Sequence, residues 1–189
     1  MKIAALIMAA GEASRFGACK HLQIVNGKTI LQHLTDILLA NSITDINIIS
    51  GAWHGQHKNA KPSGAQITYN PLWREGLGSS IAFATRAIDE SIDGLLIVLG
   101  DQAALQNEDI QRLLANFDGN KTVCATYNNS LGVPAIFAQQ QWPALKSLQG
   151  DNGAKQILQD CVSITTIDIP SAAIDIDTVE DLASMNATI

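Results

Sequence analysis

The chain has 189 residues, 47% of them hydrophobic and 16% charged, with a formal net charge of −6. That length suits one domain (1–189) with a core of its own, and the balance excludes a disordered chain. The acidic surplus excludes broad attraction to nucleic acid or to an anionic membrane. Any phosphate chemistry must therefore sit in a local pocket served by metal ions, backbone N–H groups or a few basic side chains.

The elements follow one another as short apolar runs and helix-spaced stretches. Ile3-Ala-Ala-Leu-Ile-Met8 is a continuous apolar strand that breaks at Gly11. Met1-Lys2 leads directly into it without a cleavage signature, so no signal peptide is expected and the cytoplasm is the expected location. From about Thr29 to Ala40 the residues Ile30, Leu31, Leu34, Ile37 and Leu38 share a helix face. Asp45 to Ser50 predicts a second strand, 51–64 a loop with a short helical turn, and Gln66 to Tyr69 a third strand. Ser79 or Ser80 is expected to open a helix reaching about Glu90, followed by the strand Leu95 to Leu99. Asn107 reads as the N-cap of the next helix. Thr122–Thr126 and Pro134–Phe137 predict strands, about 139–148 and 152–160 short helices, and Ser163–Ile169 a last strand. A final helix starts at Thr178, where Thr178-Val-Glu-Asp181 resembles a capping box. No run is long enough to span a membrane.

This alternation predicts an α/β sandwich, a mostly parallel sheet with helices on both faces. Ligands in such folds bind beyond the carboxyl ends of the strands. Gly11, Asn70 and Asp101 each fall just past a predicted strand end.

Four segments carry the chemistry. Met8-Ala-Ala-Gly-Glu-Ala-Ser-Arg-Phe-Gly-Ala-Cys-Lys20 follows the first strand, with small residues that admit a close ligand and Gly11 and Gly17 that permit positive φ. Its N–H groups can form an anion-binding concavity, and Arg15 and Lys20 add two cations. It is neither a Walker loop nor a dinucleotide fingerprint; an ordinary strand-to-helix turn is the plainer reading of composition alone. In Val98-Leu-Gly-Asp-Gln102, a carboxylate at a buried strand end needs a partner, such as Mg²⁺ on nucleotide phosphates, unless it only serves a turn. In Ile174-Asp-Ile-Asp-Thr178, alternation puts Asp175 and Asp177 on one side and Ile174 and Ile176 on the other. One of the two acids can complete a metal site with Asp101, or both can favour the following helix dipole. Tyr69-Asn-Pro-Leu-Trp-Arg-Glu-Gly-Leu-Gly-Ser-Ser80 feeds two serines into a helix start, for capping or for a ligand.

Cys19, Cys124 and Cys161 are widely spaced without a Cys-x-x-Cys pair, which suggests neither a disulfide framework nor a zinc site. His54-x-x-His57 has no further ligand nearby in sequence, and all four histidines read as surface or packing residues.

Taken in order, these segments resemble the nucleotidyltransferase superfamily, the MobA-like NTP transferases, and look most like its molybdenum cofactor cytidylyltransferase branch. The resemblance rests on Ala9-Ala-Gly-x-x-x-Arg-Phe-Gly-x-x-Lys20, Asn70-x-x-Trp73-x-x-Gly76-x-x-x-Ser80, Leu99-Gly-Asp-Gln102, Gly150-Asp-x-Gly-Ala154 and Asp175-Ile-Asp-Thr-x-Glu-Asp-Leu182. It implies a Rossmann-like three-layer sandwich of the nucleotide-diphospho-sugar transferase kind and transfer of a nucleoside monophosphate from a Mg²⁺-bound triphosphate. By position, Ala9, Ala10 and Gly11 would line base and ribose, with Asn70, Gly76 and Ser80 beside them. Arg15 and Lys20 would neutralise the triphosphate, making them catalytic with Asp101. Asp101 and, in preference to Asp175, Asp177 would hold the metal. Ala-Ala-Gly is closer to the cytidylyl-transferring members, so CTP is the favoured donor, with a phosphorylated acceptor such as molybdopterin and a molybdoenzyme partner. Two departures bear on the acceptor: Gly132-Val-Pro134 stands where the branch has Gly-His-Pro, and Ala103 where Pro is common. A sugar- or polyol-phosphate acceptor, or a non-catalytic accessory role, therefore stays open at this point.

Overall fold

The computed structural model describes residues 1–187; the last two residues of the expected 1–189 domain lie outside the described residues. Seven strands form one sheet. In chain order its first members are β1 (Ile3–Ala9), β4 (Asp45–Ser50), β5 (Gln66–Tyr69) and β6 (Gly94–Leu99). β7 (Thr122–Tyr127), β8 (Ser130–Ala138) and β9 (Ile164–Asp168) complete it, and a separate ribbon pairs β2 (Ile24–Val25) with β3 (Lys28–Thr29). The sheet order is β5-β4-β1-β6-β8-β7-β9. All neighbours run parallel except β8, which is antiparallel to both β6 and β7.

The central strands are apolar on both faces because helices cover both. Along β1, Ala5, Ile7 and Ala9 point into one core with α1 (Ile30–Ala40) and α4 (Asn107–Asn116). Ala4, Leu6 and Met8 point into the other, against α3 (Leu77–Arg86), α5 (Trp142–Lys146) and α6 (Lys155–Asp160). The expected three-layer Rossmann-like sandwich is the observed fold. Two further helices, α2 (His54–Asn59) and α7 (Val179–Ala187), complete the α-helices of the described residues. No helix among the described residues is long and apolar enough to cross a membrane.

Several boundaries differ from expectation, each for a local reason. The β2–β3 ribbon, not expected from sequence, turns on Asn26 (φ 53°) and Gly27 (φ 77°), the residue pair best suited to a two-residue hairpin. β8 begins at Ser130 rather than Pro134 because Asn128 and Asn129, both at positive φ, fold it back onto β7. α4 is capped by Gln106, whose N–H donates to Asp109 at 2.9 Å, while the side chain of Asn107 accepts from Asn41 at 2.8 Å. α3 starts at Leu77 and ends at Arg86, so Ser79 and Ser80 lie inside its first turn. The amides of Gly78 and Ser79 instead donate to the Gly150 carbonyl, at 2.8 and 3.3 Å. Gly76 is required there: its φ is 110°, and a Cβ would strike Asp151 and Gly150. The capping box at Thr178 is present, Thr178 N–H donating to Asp181 at 2.8 Å and Asp181 N–H to Thr178 Oγ1 at 3.2 Å.

Leu34 of α1 is fully buried against the sheet. Leu34→Ala should cost about 2–5 kcal/mol, read as a lowered urea midpoint at unchanged slope. A loss below about 1 kcal/mol would show that α1 does not carry this core.

Candidate active site

The carboxyl ends of β1, β5 and β6 bring the unusual residues to one edge. β1 delivers Ala10 and the 11–20 loop, β5 delivers Asn70, and β6 delivers Gly100 and Asp101. The loop turns at Ala13 (φ 52°), whose carbonyl accepts from the Phe16 and Gly17 amides at 3.0 and 3.1 Å. Gly17 takes the positive φ expected of it (72°). Gly11 does not; its use is openness, since a Cβ there would meet nothing within 4 Å. Phe16 anchors the loop in the core, and a 3-10 turn at Lys20–Leu22 carries Lys20 inward.

Lys20 is the hinge of the site. Its side chain is only 10% exposed, and Nζ donates to Asp101 Oδ2 at 2.6 Å and to Asp177 Oδ1 at 2.8 Å. Arg15 stands on the rim, 77% exposed, with Nη2 3.3 Å from Asp177 Oδ2. Asp177 reaches the cluster because Ile176 is buried and its N–H donates to the Asp101 carbonyl at 3.3 Å, pinning the 174–178 segment to the end of β6. The expected alternation is realised only in part: Ile176 is buried and Asp177 borders the Lys20 cavity, while Ile174 is exposed and Asp175 lies with it outside that cavity's lining, so Ile176 alone anchors the segment in the core. Buried Gln102 adds a second tie, donating to the carbonyls of Val133 and Ala172 and accepting from Leu99 N–H.

Burial opposes the charge on Lys20, but Asp101 and Asp177 outweigh it and raise its pKa above the ordinary value. Lys20 is therefore a fixed cation and not a base. The Lys20 hydrogen bond holds Asp177 below the usual carboxylate range despite some desolvation. Asp175 goes the other way, pushed up to about 6 by desolvation first and then by Asp101 and Asp177.

These groups border a cavity of about 670 Å³, within the ordinary size range of small-ligand sites. Its lining includes Ala10, Gly11, Arg15, Lys20, Gly76, Ser80, Asp101 and Asp177 from the expected set, together with His21, Trp73, Arg74 and Asp151. Two expected residues stand behind the wall. Ala9 packs into the core at 1% exposure, because the sheet face it occupies is covered by helix. Asn70 is fully buried: its Nδ2 donates to Ser80 Oγ at 2.9 Å and its Oδ1 accepts from Leu72 N–H at 2.9 Å. Asn70 thus positions Ser80 instead of lining the cavity. Trp73, under the Arg74 guanidinium at 4.4 Å, is a wall residue of the cavity. A smaller cavity of about 180 Å³ adjoins the first along Leu77 and Leu99 and is lined by Tyr127, Ser130, Gly132, Val133 and Lys155.

The structure also gathers residues that sequence spacing kept apart. Cys19 is buried with Sγ 3.1 Å from His57 Nε2. His21 lies edge-on to His57, ring centroids 5.3 Å apart. Desolvation lowers the His21 pKa to about 3 and the His57 pKa to about 4, so both rings are neutral near pH 7.

Because the folded-state pKa of Asp175 is raised, its ionisation disfavours the fold as pH climbs from about 4 to about 6. Asp175→Asn should therefore match the wild type in melting temperature near pH 4 and exceed it near pH 7. A difference that stays constant across this range would contradict the assigned environment.

A family model for the MobA-like NTP transferase domain matches residues 5–166. The bifunctional protein GlmU of Sinorhizobium fredii is 34% identical over 101 residues, 51% of this chain but only 22% of that protein, so the chain corresponds to about a fifth of that relative's length. The purine catabolism protein PucB of Bacillus subtilis is 23% identical over 163 residues, 82% of this chain and 79% of PucB. Among solved structures, Rv0371c from Mycobacterium tuberculosis H37Rv superposes with a TM-score of 0.86 at 19% identity, covering 99% and 98% of the two chains. A manganese complex of Rv0371c gives 0.82 at 18%, covering both chains completely. With the family model spanning most of the sheet and the loop that presents Lys20, the chain belongs to the MobA-like NTP transferase domain family.

Proposed function

We propose that the protein transfers the cytidylyl group of Mg²⁺-bound CTP to a phosphorylated acceptor, with molybdopterin the favoured acceptor, releasing pyrophosphate. The observation that carries this reading is the Lys20–Asp101–Asp177 cluster, with Arg15 at its rim, on the wall of a nucleotide-sized cavity in an acidic molecule.

A terminal phosphate oxygen of the acceptor attacks the α-phosphorus in line; the new O–P bond forms as the bond to the bridging oxygen breaks, and pyrophosphate departs with the electron pair. A phosphate monoester needs no base to act as this nucleophile, so the protein's task is positioning and charge neutralisation. Lys20, held protonated between two carboxylates, presents a cation already desolvated and fixed. Arg15, exposed at the rim, suits the tail of the triphosphate and the leaving pyrophosphate. Gly11 leaves room for close approach of the ligand to the backbone. Ser80 Oγ, which accepts from Asn70 and donates to the Gly76 carbonyl at 3.1 Å, keeps a placed lone pair for base or ribose.

The residues fit a divalent ion. Asp101 Oδ1 is buried with no hydrogen-bond partner, an arrangement costly for a carboxylate unless a cation completes it. Asp101 and Asp177 would hold Mg²⁺, which when bound neutralises phosphate charge as a Lewis acid. The manganese complex of Rv0371c supports a divalent ion in this fold.

Val133 lines the smaller cavity where the cytidylyltransferase branch carries histidine. This favours, as a second reading, a phosphorylated acceptor other than a pterin, such as a sugar or polyol phosphate.

Pyrophosphate release with CTP and Mg²⁺ should depend on the acceptor, and molybdopterin against a sugar phosphate decides between the two readings. Lys20→Ala and Asp101→Ala should each lower kcat about a hundredfold or more while far-ultraviolet circular dichroism is unchanged. Near-normal turnover in either variant would remove the assigned roles, and stronger thermal stabilisation by GTP or ATP than by CTP would overturn the cytidylyl assignment.

A further inference from the structure

Directly behind the Lys20 turn, and outside the phosphate-facing cluster, Cys19, His21 and His57 form a buried group. One ligand atom from each lies within 4.8 Å of the others. The three come from two distant stretches: Cys19 and His21 flank Lys20, and His57 projects from α2. We propose that these three side chains form a transition-metal site, suited to Zn²⁺, that fastens the nucleotide loop to α2.

The donor set selects this class of ion. One thiolate with two imidazoles is a borderline-soft ligand group that suits Zn²⁺ and not Mg²⁺. The second ligand shell is in place. Ser50, at the end of β4, sits with Oγ 2.8 Å from His57 Nδ1, so an Nδ1–H donating to it leaves the Nε2 lone pair aimed at Cys19 Sγ, 3.1 Å away. His21, 3% exposed, has a buried Nδ1 with no hydrogen-bond partner. A packing histidine would satisfy that nitrogen. Both rings are uncharged, as coordination requires.

The dimensions ask for adjustment: the three ligand atoms lie within 4.8 Å of one another, and His21 closes to the roughly 3.4–3.6 Å edge of a tetrahedral site. Bonds of about 2.3 Å to sulfur and about 2.1 Å to nitrogen at a tetrahedral angle set S and N about 3.6 Å apart. Cys19 and His57 therefore part by about half an ångström as the thiol proton, which bridges them in the metal-free form, is released to solvent. Three protein ligands leave a fourth position for water. His21 also lines the nucleotide cavity, so the ion borders that cavity, and two of its ligands bracket Lys20.

The test is a Co²⁺ titration of chelator-treated full-length protein in excess Mg²⁺, which keeps the hard carboxylate site occupied. One equivalent should produce an intense near-ultraviolet thiolate-to-cobalt charge-transfer band with visible bands of tetrahedral cobalt, bleached by Zn²⁺. Cys19→Ser should abolish the charge-transfer band, and Cys161→Ser should leave it intact. Ser50→Ala, which keeps all three ligands, should weaken binding about 10–100-fold. No thiolate band in the wild type, or a band that survives Cys19→Ser, overturns the proposal. Because the readout is optical and needs no nucleotide, it is independent of the cytidylyl-transfer reading.

Discussion

One ammonium group joins three stretches of chain that are far apart in sequence. Lys20 rides on the loop after β1, Asp101 ends β6, and Asp177 precedes α7; the Nζ atom donates to both carboxylates within 2.8 Å. Taking an ammonium to 10% exposure is costly unless its partners are close and well placed. The fold meets that condition by building both partners onto the sheet. Asp101 extends a strand with fully buried neighbours, and Asp177 is tied through the Ile176 amide to the Asp101 carbonyl. The loop cannot move far without leaving two facing acids unpaired, so the geometry at the mouth of the cavity depends on this one cation.

The same arrangement explains how an acidic protein handles polyanions. With a net charge of −6, the molecule has no long-range pull on phosphate. Its cations are instead placed locally, one buried and fixed and one exposed and adaptable, and the carboxylates around them suit a divalent ion. Asp101 Oδ1, without a partner, and Asp175, with a raised pKa, both mark a carboxylate cluster short of positive charge. Binding a metal–nucleotide complex would supply it.

Much of this was legible in the sequence, and the legible parts share a cause. Strands buried on both faces must be apolar throughout, so Ile3–Met8 and Leu95–Leu99 announced themselves, and the residues just beyond them were marked by position. The alternation in 174–178 held only at Ile176, which is buried and carries Asp177 to the cavity; Ile174 is exposed, and Asp175 lies beside it outside that cavity's lining. What escaped depends on contacts that spacing does not encode. Nothing local shows that Asn70 turns back beneath Ser80, that the Gly150 carbonyl caps α3, or that α2 folds His57 against Cys19, 38 positions away. The Asn26–Gly27 and Asn128–Asn129 turns carried a readable hairpin signal; the flanking strands were too short or too irregular in pattern to direct attention to it.

The most direct test of the central claim is where a nucleotide lands. Titrating isotopically labelled protein with MgCTP and following backbone amide shifts should concentrate the changes at 10–20, 100–101 and 176–177, with those at 10–20 collapsing in Lys20→Ala. Shifts centred elsewhere on the surface, or a pattern unaffected by removing the Lys20 ammonium, would contradict the account.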